Sequence, residues 1–399
     1  MSNSLPRELE AGLVVDQVVE WTSSEELGEL LSESSMVGRT VVPFGGRGSL
    51  QTGRPVTADV GLDLTRCRGI LSYSPADLTL SVRAGTTWSE IQATLGDHGQ
   101  TLPLDVPFPD RTTVGGVVAT GFSGARRYRQ GSLRDLLIGC EYVRGDGLVA
   151  NAGGMVVKNV SGFEIPRFLH GSWGALAVIT SVNLKVLPRP RADGTAIFPV
   201  DHLAEAITRG IDLIRGGAPL DAITVVRQGN DICLAVRATG RSRAVNELLN
   251  DVSSEVGKSP EKRLDSDDSM AWWQASTEAF ADAPDGILVA IGSRIDQLES
   301  LATELEQVTP RASLLVMPGL GSIRIRVQLA DIDDPAKTLE TIRALASARD
   351  ASSIVEAAPV DLRSTCNIWG SPDSGMSTMQ AIKRAFDPSS ILNRGRLFV

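Results

Sequence analysis

Residues 43–49 read Pro-Phe-Gly-Gly-Arg-Gly-Ser, directly after an apolar run that reads as a strand. Three glycines in four positions are more than a tight turn needs. So bare a backbone lets main-chain N–H groups converge on something, and these amides have no obvious protein acceptor, so the expected partner is a ligand. Glycine turns of this kind form a concave nest for phosphate, and a helix N-terminus adds partial positive charge. More clusters follow at Gly115-Gly116, Gly121, Gly124 and Gly131. The pattern points to a nucleotide site built from several loops, against the plainer reading of a turn-rich β domain. Spacing excludes two other phosphate motifs: neither GxGxxG after a strand nor GxxxxGK[ST] occurs.

The elements that must position these loops are legible in outline. RTVVPF is a strand leading into the loop, and LTLSVRAGTTW is an alternating strand that turns at Ala84-Gly85. A helix follows from Thr87, with Glu90 three residues on as a capping box and Ile91 and Leu95 on one face. Gly116–Thr120 is a helix of small residues, LLIGCEYVRGDGLVANAGG is a hairpin about GDG, and Ala177–Leu187 is a strong strand. Of the 39 glycines, 25 fall in residues 1–190, so special backbone shapes concentrate in the front half.

The back half reads as ordinary helix and strand. Leu203, Ile207, Ile211 and Ile214 share a helix face, as do Val245, Leu248, Leu249, Val252 and Val256. Strands at AITVVRQ, DICLAVRATG, GILVAIG, ASLLVMP, SIRIRVQL and SIVEAA alternate with helices at DQLESLATELEQV and PAKTLETIRALASA. Two rounds of βα with antiparallel pairing predict a ferredoxin-like unit. The charged stretch 257–269, GKSPEKRLDSDDS, reads as a surface loop.

Composition bounds the function. A formal net charge of −9 lacks the basic footprint of a nucleic-acid binder. No apolar run approaches the roughly 18 residues of a membrane span, and the N-terminal residues lack the apolar core of a signal peptide, so a cytoplasmic protein is expected. Cys67, Cys140, Cys233 and Cys366 lie far apart with no CxxC; all four read as buried thiols, not cluster or zinc ligands.

PFGGRGS, DLTLSVRAGTTWSEI, FPDRTTVGGVVATGFSGARRYRQGSLRDLLIG and VKNVSGFEIPRFLHGSWGALAVITSVNLKVLPRP, in this order, resemble the FAD-binding domain of the vanillyl-alcohol oxidase type over roughly residues 14–190. The paired arginines of SGARRYRQGSLRD and the phrase VKNVSGFEIPRFLHGSWG are similar to the FAD-binding subunits of bacterial glycolate oxidases. AFDPSSILNRGRLF resembles that family's closing motif, in which the tail returns to the flavin domain, with Asn393-Arg394-Gly395 in place of the usual Asn-Pro-Gly. The resemblance implies an α+β chain: a two-subdomain FAD-binding domain over 1–190, a ferredoxin-like α+β cap domain for substrate over 191–385, and a tail over 386–399. It implies that Pro43, Gly45, Gly46, Arg47, Gly48 and Ser49 cradle the FAD pyrophosphate. Pro107, Thr113, Gly115, Gly116, Gly121, Ser123, Gly124, Gly131 and Ser132 would line the other side, and backbone groups of Val178 and Ile179 the adenine half. Arg47 either neutralises phosphate or is a solvated loop residue. Relatives that tether the flavin use a first-loop histidine; Arg47 stands at that position, so FAD is expected to be non-covalent.

Oxidation of a 2-hydroxy acid needs a cation for the carboxylate, a base for the hydroxyl proton and the flavin as hydride acceptor. Arg324 and Arg326 alternate with Ile323 and Ile325 and share a strand face, either a solvent face or a carboxylate clamp. Trp369 either packs or lines a pocket. His98, His170 and His202 are scattered and read as structural or surface residues, which leaves the catalytic base unassigned and no metal site expected. The expected role is the FAD-binding subunit of a glycolate (2-hydroxy acid) oxidase complex. Its partners would be a second flavoprotein subunit and an iron–sulfur subunit, which could hold it at the inner face of the membrane. Two readings stand beside this: an accessory electron-relay chain with no substrate site of its own, and a stand-alone alcohol or sugar oxidase.

Overall fold

The computed structural model describes residues 7–155, 164–370 and 375–397. Residues 156–163, within the VKNVSGFEIPRFLHGSWG stretch, lie outside the described residues. The chain divides into two compact bodies. The first comprises Met1–Ser123, Ser132–Arg189 and Ser371–Val399, and the second Gly124–Gly131 and Pro190–Gly370. Residues 375–385 thus cluster with the first body, whereas the sequence reading placed them in the cap.

The first body carries two larger sheets. One has the order β1 (Arg7–Glu10), β2 (Leu13–Glu20), β4 (Val56–Asp63), β3 (Val41–Phe44), with β2 and β3 both parallel to β4. Pro43, which has no N–H, sits on edge strand β3, where a missing donor is tolerated. The other sheet is antiparallel, in the order β5 (Ile70–Ser74), β6 (Thr79–Arg83), β10 (Ala177–Lys185), β8 (Leu137–Arg144), β9 (Val149–Gly153). Short strands β7 (Gln100–Thr101) and β11 (Leu187–Pro188) pair separately. The capping box predicted at Thr87 and Glu90 opens the helix Trp88–Gly96, and Ile91 and Leu95 are buried as that spacing requires.

The second body holds one eight-stranded antiparallel sheet, ordered β15 (Lys262–Asp265), β12 (Ala192–Pro199), β14 (Asp231–Gly240), β13 (Ala222–Gln228), β17 (Ser313–Met317), β18 (Ser322–Gln328), β16 (Gly286–Gly292), β19 (Ser352–Ala357). This order resolves into two ferredoxin-like units. Each runs strand–helix–strand–strand–helix–strand, and the two are fused edge to edge through their second strands, where Val225 of β13 faces Val316 of β17. The helices Leu203–Arg215, Ser242–Val256, Leu298–Val308 and Pro335–Ser347 share one core with the sheet, through Ile207, Leu249, Leu301 and Ile342. Sequence periodicity already marked the faces of the first two of these helices, except that Ile214 and Leu248 are only partly buried.

Of residues 257–269, only 257–261 form the surface loop expected from their charge. Lys262–Asp265 form edge strand β15, in register with β12 from Gly194↔Asp265 to Ile197↔Lys262, and Ser266–Ala279 form a helix. Charged side chains suit an exposed edge strand, because pairing there uses only backbone groups. The helix is pinned by a buried polar network. Trp273 Nε1 donates to Thr195 Oγ1 at 2.8 Å, Ser269 Oγ donates to Asp193 at 2.7 Å, and Arg237 forks onto the same carboxylate. Among the cysteines, Cys67 and Cys140 are buried, whereas Cys233 and Cys366 are only partly so, short of the expected burial of all four.

Candidate functional site

The glycine loop after β3 behaves in two ways. At Gly45 and Gly46 protein lies where a Cβ would go, a demand for glycine separate from whatever the amides bind. A Cβ on Gly46 would sit 2.6 Å from the carbonyl carbon of Arg111 and closer still to its oxygen; one on Gly45 would sit 3.1 Å from Thr113 Cγ2 and closer to its Oγ1. Gly48 has room, with Thr112 Oγ1 at 3.8 Å. The left-handed residue of the loop is Arg47, at φ 62°. Its guanidinium lies 4.9 Å from the Phe44 ring centroid and 3.8 Å from Asp63.

The amides of this loop are its chemical feature. Among the described residues, none of the N–H groups of Gly45, Gly46, Arg47, Gly48 and Ser49 donates to a protein acceptor, although all five residues are half-buried. The loop carbonyls, in contrast, are engaged: Arg47 O accepts from Leu50 N at 3.2 Å, Gly48 O from Gln51 Nε2 at 3.0 Å, and Ser49 O from Thr52 N at 3.2 Å. Consecutive unpaired donors with their acceptors turned away form a bed for an anion. Half-buried donors without acceptors are costly unless a ligand or water takes them.

The facing segment is rigid. Pro107 O accepts from Thr112 Oγ1 at 2.7 Å, and Phe108 turns the chain at φ 49°. Thr113 caps the helix Val114–Thr120, its Oγ1 accepting from Gly116 N. That helix offers no free N-terminal donors, since Val114 N goes to Thr86 O and Gly115 N to Ala84 O. Gly115 is bare because Ala84 presses on it, and Gly121 ends the helix at φ 68° against Gly171. Ser132 is tied up in a capping box with Asp135. Val178 and Ile179 pair with β8, but β6 meets β10 only from Ser181 onward, so among the described residues no strand pairs with their other backbone edge. Ser123 falls in the first body, whereas Gly124 and Gly131 bound the segment that clusters with the second.

The closing motif returns to this neighbourhood, as the resemblance implied, but the particular contacts its residues make carried no sequence signal. The tail lies along β3: Val41 N donates to Ile391 O at 2.9 Å and Asn393 N to Val41 O at 3.0 Å. Lys383 and Asp387, buried and 2.6 Å apart, lock it; Lys383 also donates to Ala175 O and Leu392 O. Asn393 Nδ2 donates to Trp173 O at 2.7 Å. Arg396, buried, donates to Thr52 O at 3.1 Å and to Ser49 O, and stacks 5.5 Å from the Trp173 ring centroid.

In the second body, Ile323, Ile325 and Val327 of β18 face the helices, which puts Arg324 and Arg326 together on the opposite face. That face is not open solvent at these positions. Arg324 forks onto Glu356, with Nε–Oε2 at 2.8 Å and Nη2–Oε1 at 3.1 Å, its side chain 14% exposed. Burial works against its charge, but Glu356 outweighs this and holds its pKa above the ordinary arginine value. Arg326 donates to Ala279 O at 2.8 Å and lies 5.9 Å from the Phe280 ring centroid. Trp369 packs on the core of the same body. His98 meets the Tyr73 ring edge-on, His170 lies beside Gly121, and His202 precedes the helix Leu203–Arg215.

The open amides lie on a loop that follows a parallel strand, and residues 15–163, which hold that loop, match the FAD binding domain family. The chain is similar to glycolate oxidase subunit GlcE of Escherichia coli (strain K12), 39% identical over 170 residues, covering 42% of this chain and 48% of that one. It is also similar to a D-lactate dehydrogenase of Archaeoglobus fulgidus, 29% identical over 204 residues, covering 51% of this chain and 46% of that one. The chain thus spans about half the length of the curated relatives it matches. A structure of alkyldihydroxyacetonephosphate synthase aligns over 96% of this chain and 78% of its own, with a TM-score of 0.72 and 17% identity, so the fold is shared. Among the described residues no helix is long and apolar enough to cross a membrane.

Proposed function

We propose that this chain is the FAD-carrying component of an assembly that oxidises a 2-hydroxy acid, with glycolate the first candidate. The observation that carries the reading is the run of unpaired amides from Gly45 to Ser49 inside a segment that matches an FAD-binding domain. These donors would hold the pyrophosphate. Arg47 would balance its charge by leaving the weak contact with Asp63, while Thr113 and Gly115 keep the facing turn in place. FAD, when bound, supplies a hydride acceptor. A non-covalent flavin fits, because Arg47 cannot form the tether a histidine would.

Similarity to a glycolate oxidase subunit and to D-lactate dehydrogenases supports the substrate class. The chain's own cysteines offer no cluster spacing, so electrons would leave through an iron–sulfur partner, with a second flavoprotein performing the substrate step. Such partners would also hold the chain at the inner face of the membrane. The accessory reading, in which this chain has no substrate site, is favoured by one feature: Arg324, the candidate carboxylate clamp, is already engaged by Glu356.

The test compares glycolate- and D-lactate-dependent dye reduction by the lone chain with that of the chain co-expressed with an iron–sulfur protein and a second flavoprotein, at matched flavin content. Activity restricted to the assembled set is expected. Full turnover by the lone chain overturns the subunit reading. Failure of the folded chain to take up FAD overturns the cofactor site.

A further inference from the structure

We infer that Arg396, in the C-terminal tail, is a positioning residue that holds the phosphate loop with its amides open; the inference rests on the proposed role of Gly45–Ser49. Peptide planarity links each carbonyl to the next residue's N–H, which points the opposite way. Arg396 grips Ser49 O, and so fixes the plane whose N–H belongs to Leu50. That N–H donates to Arg47 O at 3.2 Å, which in turn sets the plane carrying the Gly48 N–H. Gln51 grips Gly48 O at 3.0 Å and sets the Ser49 N–H in the same way. Arg396 Nε holds Thr52 O at 3.1 Å, the far end of the loop.

Arginine suits this task. Its planar fork satisfies two carbonyls at once, its charge strengthens both bonds, and its stacking on Trp173 leaves it few other conformations. Trp173 itself takes a left-handed φ of 54°, and its carbonyl is held by Asn393 from the same tail. The guanidinium also places a buried positive charge behind the amide bed, which favours an anion in front of it.

The test uses the full chain, stripped of flavin, with FAD binding followed by flavin fluorescence and by hydrogen–deuterium exchange. In the wild-type chain FAD should protect both residues 45–49 and the helix Val114–Thr120. Arg396→Met should raise the Kd for FAD about thirtyfold, the worth of a charge-assisted hydrogen bond. At saturating FAD it should lose protection over 45–49 while keeping it over the helix, a split that general destabilisation does not produce. Arg396→Lys, which keeps one donor, should fall between. If Arg396→Met does not fold, Arg396→Lys and Gln51→Ala must show the same selective loss. A Kd within twofold of wild type with the loop fully protected overturns the inference and leaves Arg396 as a tail anchor. Absence of protection over 45–49 in the wild-type chain, with the helix protected, instead refutes the loop as the phosphate site, and the inference falls with it.

Discussion

Replacing Gly46 by alanine tests why this loop is bare. The new Cβ would lie 2.6 Å from the Arg111 carbonyl carbon and nearer to its oxygen, and both are backbone atoms. Arg111 cannot step aside freely, because its own N donates to Phe108 O at 3.1 Å and the next amide, Thr112 N, to the same oxygen at 2.9 Å. Relief therefore requires moving the turn or the loop, and overpacking of this kind costs about 3 kcal/mol. In a body of this size that corresponds to a fall of roughly 6–12 °C in Tm. Gly48→Ala is the internal control: its nearest neighbour is 3.8 Å away and its φ is not left-handed, so the apoprotein should melt within about 1–2 °C of wild type. The assay is thermal unfolding of both flavin-free variants by circular dichroism, followed by FAD titration. If Gly46→Ala melts with wild type, the Arg111 contact is not what demands glycine, and the loop is bare for the ligand alone.

Acid precipitation of the holoprotein should release all yellow colour to the supernatant; colour in the pellet would contradict non-covalent binding. Burial pushes the Cys140 thiol up to about 12 and the Cys233 thiol up to about 11. Unfolded thiols ionise near 9, so each contribution is complete below pH 9 and is lost as pH rises through the folded values. Chemical denaturation should show stability falling between pH 9 and 11 by up to about 1.4 kcal/mol per pH unit for each thiol, and Cys140→Ala should remove part of that slope; an unchanged slope would refute the assignment. Arg324→Met should destabilise the chain by about 3 kcal/mol by stranding Glu356, measured by urea unfolding, whereas a free substrate clamp could be truncated with little loss.

The sequence by itself determined what local patterning encodes. The helix faces at Ile207 and Val245 and the capping box of Thr87 and Glu90 follow from residues a few positions apart, and they are present in the structure, whereas the single ferredoxin-like unit expected for the back half is a fused pair. The glycine loops and their order were legible too, because few other residues allow such backbones. Only the tertiary structure decided what each glycine is for: Gly46 meets Arg111 and Gly115 meets Ala84, and neither contact can be read from spacing. Lys262–Asp265 became a strand because β12 offered an edge, which outweighs the charge that made the stretch read as a loop. The fusion of two ferredoxin-like units through β13 and β17 depends on which edges remain open once each unit is formed. The grip of Arg396 on Ser49 joins residues 347 positions apart. Its donors could serve any carbonyl in the chain, and only the docking of the tail along β3 selects that one.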